Sequence, residues 1–233
     1  LNFGYGSVVF NFFYPLPGYI ASFLYFLGFS LEDSFKIIAG LSFVTAPIFF
    51  FLWTSLFLKK EVAFTASLLY GFAPYHFLNL YVRGDIGELV SLTFLPLVFW
   101  AIEKNVKNPS VNITLLGGFL YSLLVLSHNG ISLLFTPIFL GYILLKGVRK
   151  KTIVANLIML SIGLLISPFF WLPALYESRY TNRDLFTGMF FKENFVTAMQ
   201  LIHSPWGFGA NIKDIGGLSP QVGPIHTALV IGS

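Results

Sequence analysis

Residues 37–58 read IIAGLSFVTAPIFFFLWTSLFL and contain no charged side chain. The run ends abruptly at Lys59, Lys60 and Glu61. A helix that crosses the hydrocarbon core of a bilayer needs about 20 predominantly apolar residues. This stretch therefore predicts a membrane-spanning helix, and the rest of the chain is interpreted with the bilayer as its solvent.

Further uncharged runs follow along the chain. They cover residues 62–82, the segment between Glu88 and Glu103, residues 108–145 and residues 152–176. The third run is interrupted only at 127–130 (Ser-His-Asn-Gly), which predicts two helices joined by a tight polar turn, because Gly and Asn punctuate chains. Six spans result within 37–176, all helical because open strands cannot satisfy their backbone groups in lipid. The predicted fold class is an all-α, multi-pass membrane helical bundle.

Composition supports the same class. Only 10% of the residues are charged and the mean hydropathy is +0.78, whereas soluble domains carry roughly 25% charged residues. The net charge of +4 is interpreted as an orientation signal, so no nucleic-acid partner is predicted. The chain has no cysteine, which excludes a disulfide, a thiolate metal site and a cysteine nucleophile.

The two ends of the chain differ from the bundle. Residues 1–36 predict an outer loop with a helix near 16–29 on the membrane surface, because only Tyr19–Phe29 is cleanly apolar and that is too short to span. Residues 177–233 are richer in charges and in Gly/Pro turns, which predicts an extracytoplasmic loop leading to a further span from Thr227. Since the chain starts at Leu1 and stops within an apolar run, we expect a fragment cut at both ends.

Lysine and arginine residues predict the orientation in the cell membrane. With six alternating spans, the loops of one side contain eight cations: Lys59, Lys60, Lys104, Lys107, Lys146, Arg149, Lys150 and Lys151. The short loops of the other side contain only Lys36 and Arg83. By the positive-inside rule the first side is cytoplasmic, and residues 177–233 are extracytoplasmic.

The segment 81–88 (Tyr-Val-Arg-Gly-Asp-Ile-Gly-Glu) concentrates ionisable groups next to an uncharged run. Arg83 suits a phosphate through its fork of donors. Asp85 and Glu88 lie three positions apart, so on a helix starting within 85–88 they share a face and one could act as a base or hold a divalent cation. Two simpler interpretations stay open: the charges meet water at a loop, or Arg83 pairs with Glu88.

His128 and Asn129 form the second candidate feature. A histidine on the same side as Arg83 and Glu88 could shuttle a proton or bind a substrate hydroxyl. The alternative is that both residues cap and turn between two helices. His203 and His226 lack the spacing of metal ligands, and no residue set is assigned as a metal site.

Several short motifs together resemble a known group of membrane proteins. The motifs are Phe3-Gly4-Tyr5-Gly6, Phe13-Tyr14-Pro15-Leu16-Pro17, Ala73-Pro74-Tyr75, Tyr81-Val82-Arg83-Gly84, Glu88 with Leu95-Pro96-Leu97, Ser127-His128-Asn129, and Trp171-Leu172-Pro173-Ala174-Leu175-Tyr176-Glu177. In their order they resemble relatives of the GT-C-type membrane glycosyltransferases, specifically the membrane proteins labelled "6-pyruvoyl-tetrahydropterin synthase related". The likeness covers nearly the whole chain.

This resemblance implies a GT-C-like fold and transfer of a sugar from a polyprenyl-phosphate donor at the outer face. It implies catalytic roles for Glu88, Asp85 and His128, and substrate-binding roles for Arg83, Asn129, Tyr14 and Glu177. Membrane lipid and a polyprenyl-phosphate sugar are the implied partners. The cofactor stays open, with a divalent cation as the candidate.

The sequence departs from the GT-C pattern in one respect, and this departure leaves a second kind of function open. GT-C enzymes usually place a catalytic carboxylate in the first outer loop, but no Asp or Glu occurs here before Glu32. The alternative is a non-catalytic membrane protein, either a transporter or an assembly scaffold for lipid-linked or surface polymers. A scaffold would leave Arg83 and Glu88 paired, with no cavity behind them.

Overall fold

The computed structural model describes residues 12–147, 149–180, 195–208 and 217–232, and these residues fold almost entirely into helices. In chain order the helices are α1 (Leu16–Phe26), α2 (Leu31–Thr54), α3 (Lys60–Gly71), α4 (Pro74–Phe77), a π-helix (Leu78–Arg83), α5 (Ile86–Lys107), α6 (Val111–Ser127), α7 (Asn129–Lys146), α8 (Lys150–Ile166), α9 (Pro168–Glu177), a 3₁₀ turn (Ser178–Tyr180), α10 (Ala198–Ile202) and α11 (Pro224–Ile231). The all-α prediction is confirmed for this part of the chain.

Three of the described helices are long and apolar enough to cross a membrane, namely α2, α5 and α7. A fourth candidate is the pair α8 and α9 with its 3₁₀ turn, which together pass the same test but bend by 73° at Ser167. The six predicted spans are therefore not confirmed, although the multi-pass helical character is.

The number of spans differs from the prediction because the helices are broken at positions that a hydropathy pattern does not reveal. The run 62–82 is split after α3 because Ala73 adopts an extended conformation before Pro74, as expected for a residue that precedes proline. α3 is left with 12 residues and α6 has 17, both short of the usual spanning length of about 20. The first predicted span also starts earlier, since α2 begins at Leu31 and places Glu32 and Asp33 in its first turn.

α5 is the central helix of the bundle. It packs against α2 on one side and α6 on another. Of its most apolar 18-residue stretch, 78% is buried. The residues that form the main core come from α5 to α9: Leu95, Val98, Phe99, Ala101, Ile102, Tyr121, Leu124, Val125, Leu126, Ile131, Phe139, Ile143, Met159, Leu160 and Phe170. Because α5 is packed on several sides, the side chains at its first turn are held in fixed positions.

α6 and α8 approach each other closely through glycine. A Cβ atom on Gly118 would lie 2.6 Å from Cγ2 of Ile162, and one on Gly163 would lie 2.8 Å from the carbonyl oxygen of Gly118. Small residues at such contacts let helix backbones meet in lipid, where apolar surface gives no driving force of its own. The contact fixes α6, and with it the turn that begins the next helix.

The helix predicted near 16–29 is present as α1, and its N-terminus is marked by Pro15 and Pro17. Ala21 of α1 packs with Ile38 of α2 and Val90 of α5, so the preceding residues are held near the start of α5. Its position on the membrane surface stays a prediction, as do the domain boundaries. At the other end, Nε2 of His226 in α11 lies 2.9 Å from the carbonyl oxygen of Leu69, which docks α11 against the end of α3.

Candidate functional site

The π-helix and α5 meet in a tight turn that gathers charges. Gly84 ends the π-helix with φ of 63°, a left-handed conformation that glycine adopts without steric cost. Asp85 then serves as the N-cap of α5, and its Oδ1 accepts a hydrogen bond of 2.9 Å from the backbone N–H of Glu88. This turn brings Arg83, Asp85 and Glu88 onto one side of the first turn of α5.

Arg83 is bound to three side chains through its Nη1. Nη1 donates to Oε2 of Glu88 at 2.7 Å, to Oδ1 of Asn79 at 2.9 Å and to the hydroxyl of Tyr75 at 3.3 Å. The Tyr75 hydroxyl donates in turn to the same Oε2 of Glu88. Nη2 has a longer contact of 3.4 Å with Oδ2 of Asp85. The predicted alternative of an Arg83–Glu88 pair is thus present in the structure.

Asp85 is held from the other side by Tyr14. The Tyr14 hydroxyl donates to Oδ1 of Asp85 at 2.9 Å. Burial raises the pKa of Tyr14, and the hydrogen bond to Asp85 raises it further, so Tyr14 remains a protonated donor at neutral pH. With Oδ1 occupied twice, the other oxygen of Asp85 is turned towards Arg83 and His128.

His128 completes the cluster from the turn between α6 and α7. Its Nδ1 accepts a hydrogen bond of 3.1 Å from the backbone N–H of Ile131, which makes it the N-cap of α7. In the neutral ring the proton is therefore on Nε2, which lies 3.8 Å from Oδ2 of Asp85 and 3.9 Å from Oε1 of Glu88. Burial lowers the pKa of His128, and the two carboxylates oppose this effect. The predicted capping role and the position beside the carboxylates are both observed.

Gly87 is what allows α5 to approach this turn. A Cβ atom at position 87 would lie 2.1 Å from Cε2 of Tyr14 and 2.7 Å from the carbonyl oxygen of Ser127. The ring of Tyr14 also packs on the imidazole of His128, with centroids 4.8 Å apart. The three segments that form the cluster therefore converge on one small residue.

The structure brings together Arg83, Asp85, Glu88, His128 and Tyr14. The side chain of Asn129 does not contribute to this cluster. It is exposed and lines a cavity of about 630 Å³ between α6, α7 and α9. Glu177 lies at the end of α9 and lines a cleft whose walls all belong to that helix. Neither cavity is lined by a charged residue of the cluster. Of the extracytoplasmic loop predicted at 177–233, residues 181–194 and 209–216 lie outside the described residues.

Two members of the cluster were not predicted, Tyr75 and Asn79. A signal for them exists in the sequence, because Tyr75, Asn79 and Arg83 are spaced four apart and such positions share one face of a helix. Asn79 is completely buried, and among the described residues no acceptor lies within hydrogen-bonding geometry of its Nδ2. A donor buried in this way costs about 1–3 kcal/mol.

Asp85, Glu88 and His128 also form a group of potential metal ligands, with one ligand atom of each within 4.8 Å of the others. The sequence indicates a divalent cation only at Asp85 or Glu88, because His128 is far from both in the chain. What the cluster offers chemically is two carboxylates, an imidazole and a guanidinium within reach of one another. It can accept and donate protons, bind an anion through Arg83, or bind a cation through the carboxylates.

Comparisons with known proteins agree with the membrane character. A family model described as "6-pyruvoyl-tetrahydropterin synthase related domain; membrane protein" matches residues 10–203. A protein of Lactococcus lactis subsp. cremoris (strain MG1363), described as "Uncharacterized protein", is 28% identical over 184 residues, which cover 74% of this chain and 30% of that relative. No solved structure matches the chain. The matched range includes every residue of the cluster.

Proposed function

The chain belongs to the family of membrane proteins with the 6-pyruvoyl-tetrahydropterin synthase related domain, and we propose that it forms the reaction site of a GT-C-like, polyprenyl-phosphate-sugar-dependent glycosyltransferase. The relative from Lactococcus lactis is about three times longer than the matched segment. The proposal therefore concerns a site within a larger protein, with the cluster of Arg83, Asp85, Glu88 and His128 as its centre.

The observation that carries the proposal is the convergence of these four side chains at the first turn of the central helix. Ionisable side chains in membrane helices are costly, about 2.5–3.5 kcal/mol each at the helix centre on insertion scales, and tend to mark functional sites. Glu88 is 7% exposed in its side chain and Arg83 is 28% exposed. Glu88 is thus sheltered, whereas part of the Arg83 side chain stays accessible.

The proposed reaction needs one proton acceptor and one positive charge. An acceptor hydroxyl oxygen forms a bond to the anomeric carbon of the sugar, and its proton passes to a carboxylate, Glu88 or Asp85. The bond from the anomeric carbon to the phosphate oxygen breaks, and its electron pair leaves with the polyprenyl phosphate. Arg83 Nη2, which has only the long contact with Asp85, is placed to offset the charge on the departing phosphate.

In this proposal the remaining residues orient the reacting groups or bind the substrate. Tyr14 and the Glu88 amide hold Oδ1 of Asp85, which leaves Oδ2 as its reactive oxygen. His128 presents an N–H to both carboxylates and so limits their mutual repulsion. Asn129 and Glu177 are proposed to bind more distant parts of the substrate, along the cavities that they line.

The test uses the full-length protein in liposomes with polyprenyl-phosphate sugars carrying a radiolabelled sugar. We expect the protein to release polyprenyl phosphate in the presence of an acceptor, and Glu88→Gln to lower the rate by roughly 10²–10⁴-fold, the usual contribution of a general acid or base. Glu103→Gln is the matched control, because Glu103 is also buried on α5 and also accepts from a tyrosine, Tyr142 at 2.6 Å. Absence of release with every sugar tried would refute the proposal. So would rates in Glu88→Gln and in Asp85→Asn that both equal the rate in Glu103→Gln.

A second candidate is a non-catalytic transporter or scaffold for lipid-linked or surface polymers. It is favoured by the tight bonding of Arg83 to Glu88, Asn79 and Tyr75, which is also what a purely structural ion pair requires. The helix break between α3 and α4 is a further feature that transporters use. In the same liposomes this candidate predicts intact lipid-linked sugar throughout, and a Glu88→Gln variant that is less stable without any loss of a chemical step.

A further inference from the structure

In each carboxylate of the cluster, two short hydrogen bonds hold one oxygen, and the other oxygen is turned towards His128. Oδ1 of Asp85 accepts from Tyr14 and from the Glu88 amide. Oε2 of Glu88 accepts from Arg83 and Tyr75. The second oxygens, Oδ2 and Oε1, face Nε2 of His128. Hydrogen bonds to the rear atoms of ligand side chains are the usual support of a metal site, because they fix the orientation of the front atoms.

The spacing of these front atoms is close to what a small ion requires. Nε2 lies 3.8 Å from Oδ2 and 3.9 Å from Oε1, and the three residues offer ligand atoms within 4.8 Å of one another. Ligands about 2.1 Å from an ion are about 3.0–3.4 Å apart at bond angles of 90–109°. The site would therefore contract by less than 2 Å across its widest pair, which side-chain torsions alone can supply as a movement of roughly 1 Å for each group.

The formal charge of the cluster also leaves room for a cation. Arg83 contributes one positive charge, Asp85 and Glu88 contribute two negative charges, and neutral His128 contributes none, so the sum is −1. An unbalanced negative charge among helices that contact lipid is unfavourable. Arg83 binds the rear oxygen of Glu88 at 2.7 Å and contacts the front oxygen of Asp85 at the longer distance of 3.4 Å, so its charge acts mainly on the rear side of the cluster.

We propose that Oδ2 of Asp85, Oε1 of Glu88 and Nε2 of His128 bind a divalent cation of the Mn²⁺ or Zn²⁺ type. Two carboxylates with one imidazole suit these ions, whereas Ca²⁺ and Mg²⁺ prefer oxygen ligands alone. Three protein ligands leave open positions for a phosphate oxygen or a hydroxyl. This site does not require that sugar transfer takes place.

Binding of the ion has a structural consequence at the start of α7. Nε2 can coordinate a metal only after it loses its proton, and the neutral ring then carries its proton on Nδ1. A protonated Nδ1 cannot accept from the backbone N–H of Ile131, which it does at 3.1 Å in this structure. The N-cap bond of α7 therefore breaks when the ion binds, and the Ile131 amide becomes a reporter of occupancy.

The test is a titration of the full-length protein in lipid nanodiscs with Mn²⁺ alone, followed by electron paramagnetic resonance. We expect one bound Mn²⁺ per chain, with ¹⁴N modulation from the imidazole that disappears in His128→Gln. Tyr14→Phe removes the bond behind Asp85 and should weaken binding about 10-fold or more, as found for residues that orient metal ligands. Glu103→Gln should bind like the unmodified protein.

Several outcomes would overturn the site. They are no Mn²⁺ bound to the unmodified protein at millimolar concentration, ¹⁴N modulation that survives in His128→Gln, or an equal loss of binding in Glu103→Gln. The first needs no variant, so misfolding of a variant cannot mask it. The result is also separate from the transferase proposal, because Mn²⁺ binding is measured without substrate and sugar transfer can be measured after chelation.

Discussion

Gly87→Ala tests the close approach on which the whole cluster depends. The added methyl group would lie 2.1 Å from Cε2 and 2.4 Å from Cζ of Tyr14, and 2.7 Å from the carbonyl oxygen of Ser127. Non-bonded carbon atoms prefer about 3.5–4.0 Å. The tyrosine ring must therefore leave its place, and α5 must withdraw from the turn that carries His128.

The expected change in the free energy of unfolding combines two destabilising effects and one stabilising effect. Overpacking a close contact costs typically about 1–3 kcal/mol, and losing a hydrogen bond to a charged group, here from Tyr14 to Asp85, costs about 1.5–3 kcal/mol. Alanine recovers about 1 kcal/mol of helix propensity relative to glycine. The free energy of unfolding should therefore fall by roughly 1.5–5 kcal/mol, the sum of the two losses less the gain.

The assay is unfolding of the protein in lipid bicelles, with Gly40→Ala as the control. A Cβ atom at Gly40, in the middle of α2, meets no atom within 4 Å, so this change should be neutral or stabilising by up to about 1 kcal/mol. Adding Tyr14→Ala to the Gly87→Ala protein should cost less than Tyr14→Ala alone, since contacting sites are not additive. The reasoning fails if Gly87→Ala is as stable as Gly40→Ala.

Two further predictions concern the ion pair and the topology. Arg83→Met should destabilise the protein by about 2–3 kcal/mol, which is less than the roughly 3–5 kcal/mol for breaking a fully buried pair, because Arg83 is partly exposed. Adding Glu88→Gln should recover at least half of this loss, and strict additivity in the unfolding cycle would contradict the pairing. Single cysteines at Lys150 and Trp206 should react with a membrane-impermeant thiol reagent from the inside and the outside respectively, as the positive-inside rule predicts. The native chain contains no cysteine to confuse this result, and labelling of position 150 from outside would reverse the predicted orientation.

The helical membrane character could be predicted from the sequence because it depends on local composition. The uncharged run after Lys36 and the start of a helix within 85–88 are readable from single residues, and α5 does begin at Ile86. The polar turn at 127–130 was equally visible, since His128 ends one helix and caps the next. In each case the deciding interactions lie within a few positions along the chain.

The number of spans could not be predicted in this way. Hydropathy treats 62–82 and 152–176 as continuous, but backbone geometry at Ala73 and at Ser167 divides each run into two helices. Proline marks both breaks, at Pro74 and Pro168. Proline does not decide the matter by itself, because Pro96 lies inside the unbroken α5.

The sequence by itself determined that this protein is an all-helical membrane protein with charges concentrated at 83–88, because those properties follow from which side chains are adjacent in the chain. Only the tertiary structure decided that Tyr14 and His128 join Asp85 and Glu88, while Asn129 and Glu177 line other cavities. The physical reason is that those contacts depend on backbone approach at Gly87 and on helix packing through Gly118 and Gly163. Lipid and protein are equally apolar to such helices, so hydrophobicity cannot specify which faces meet.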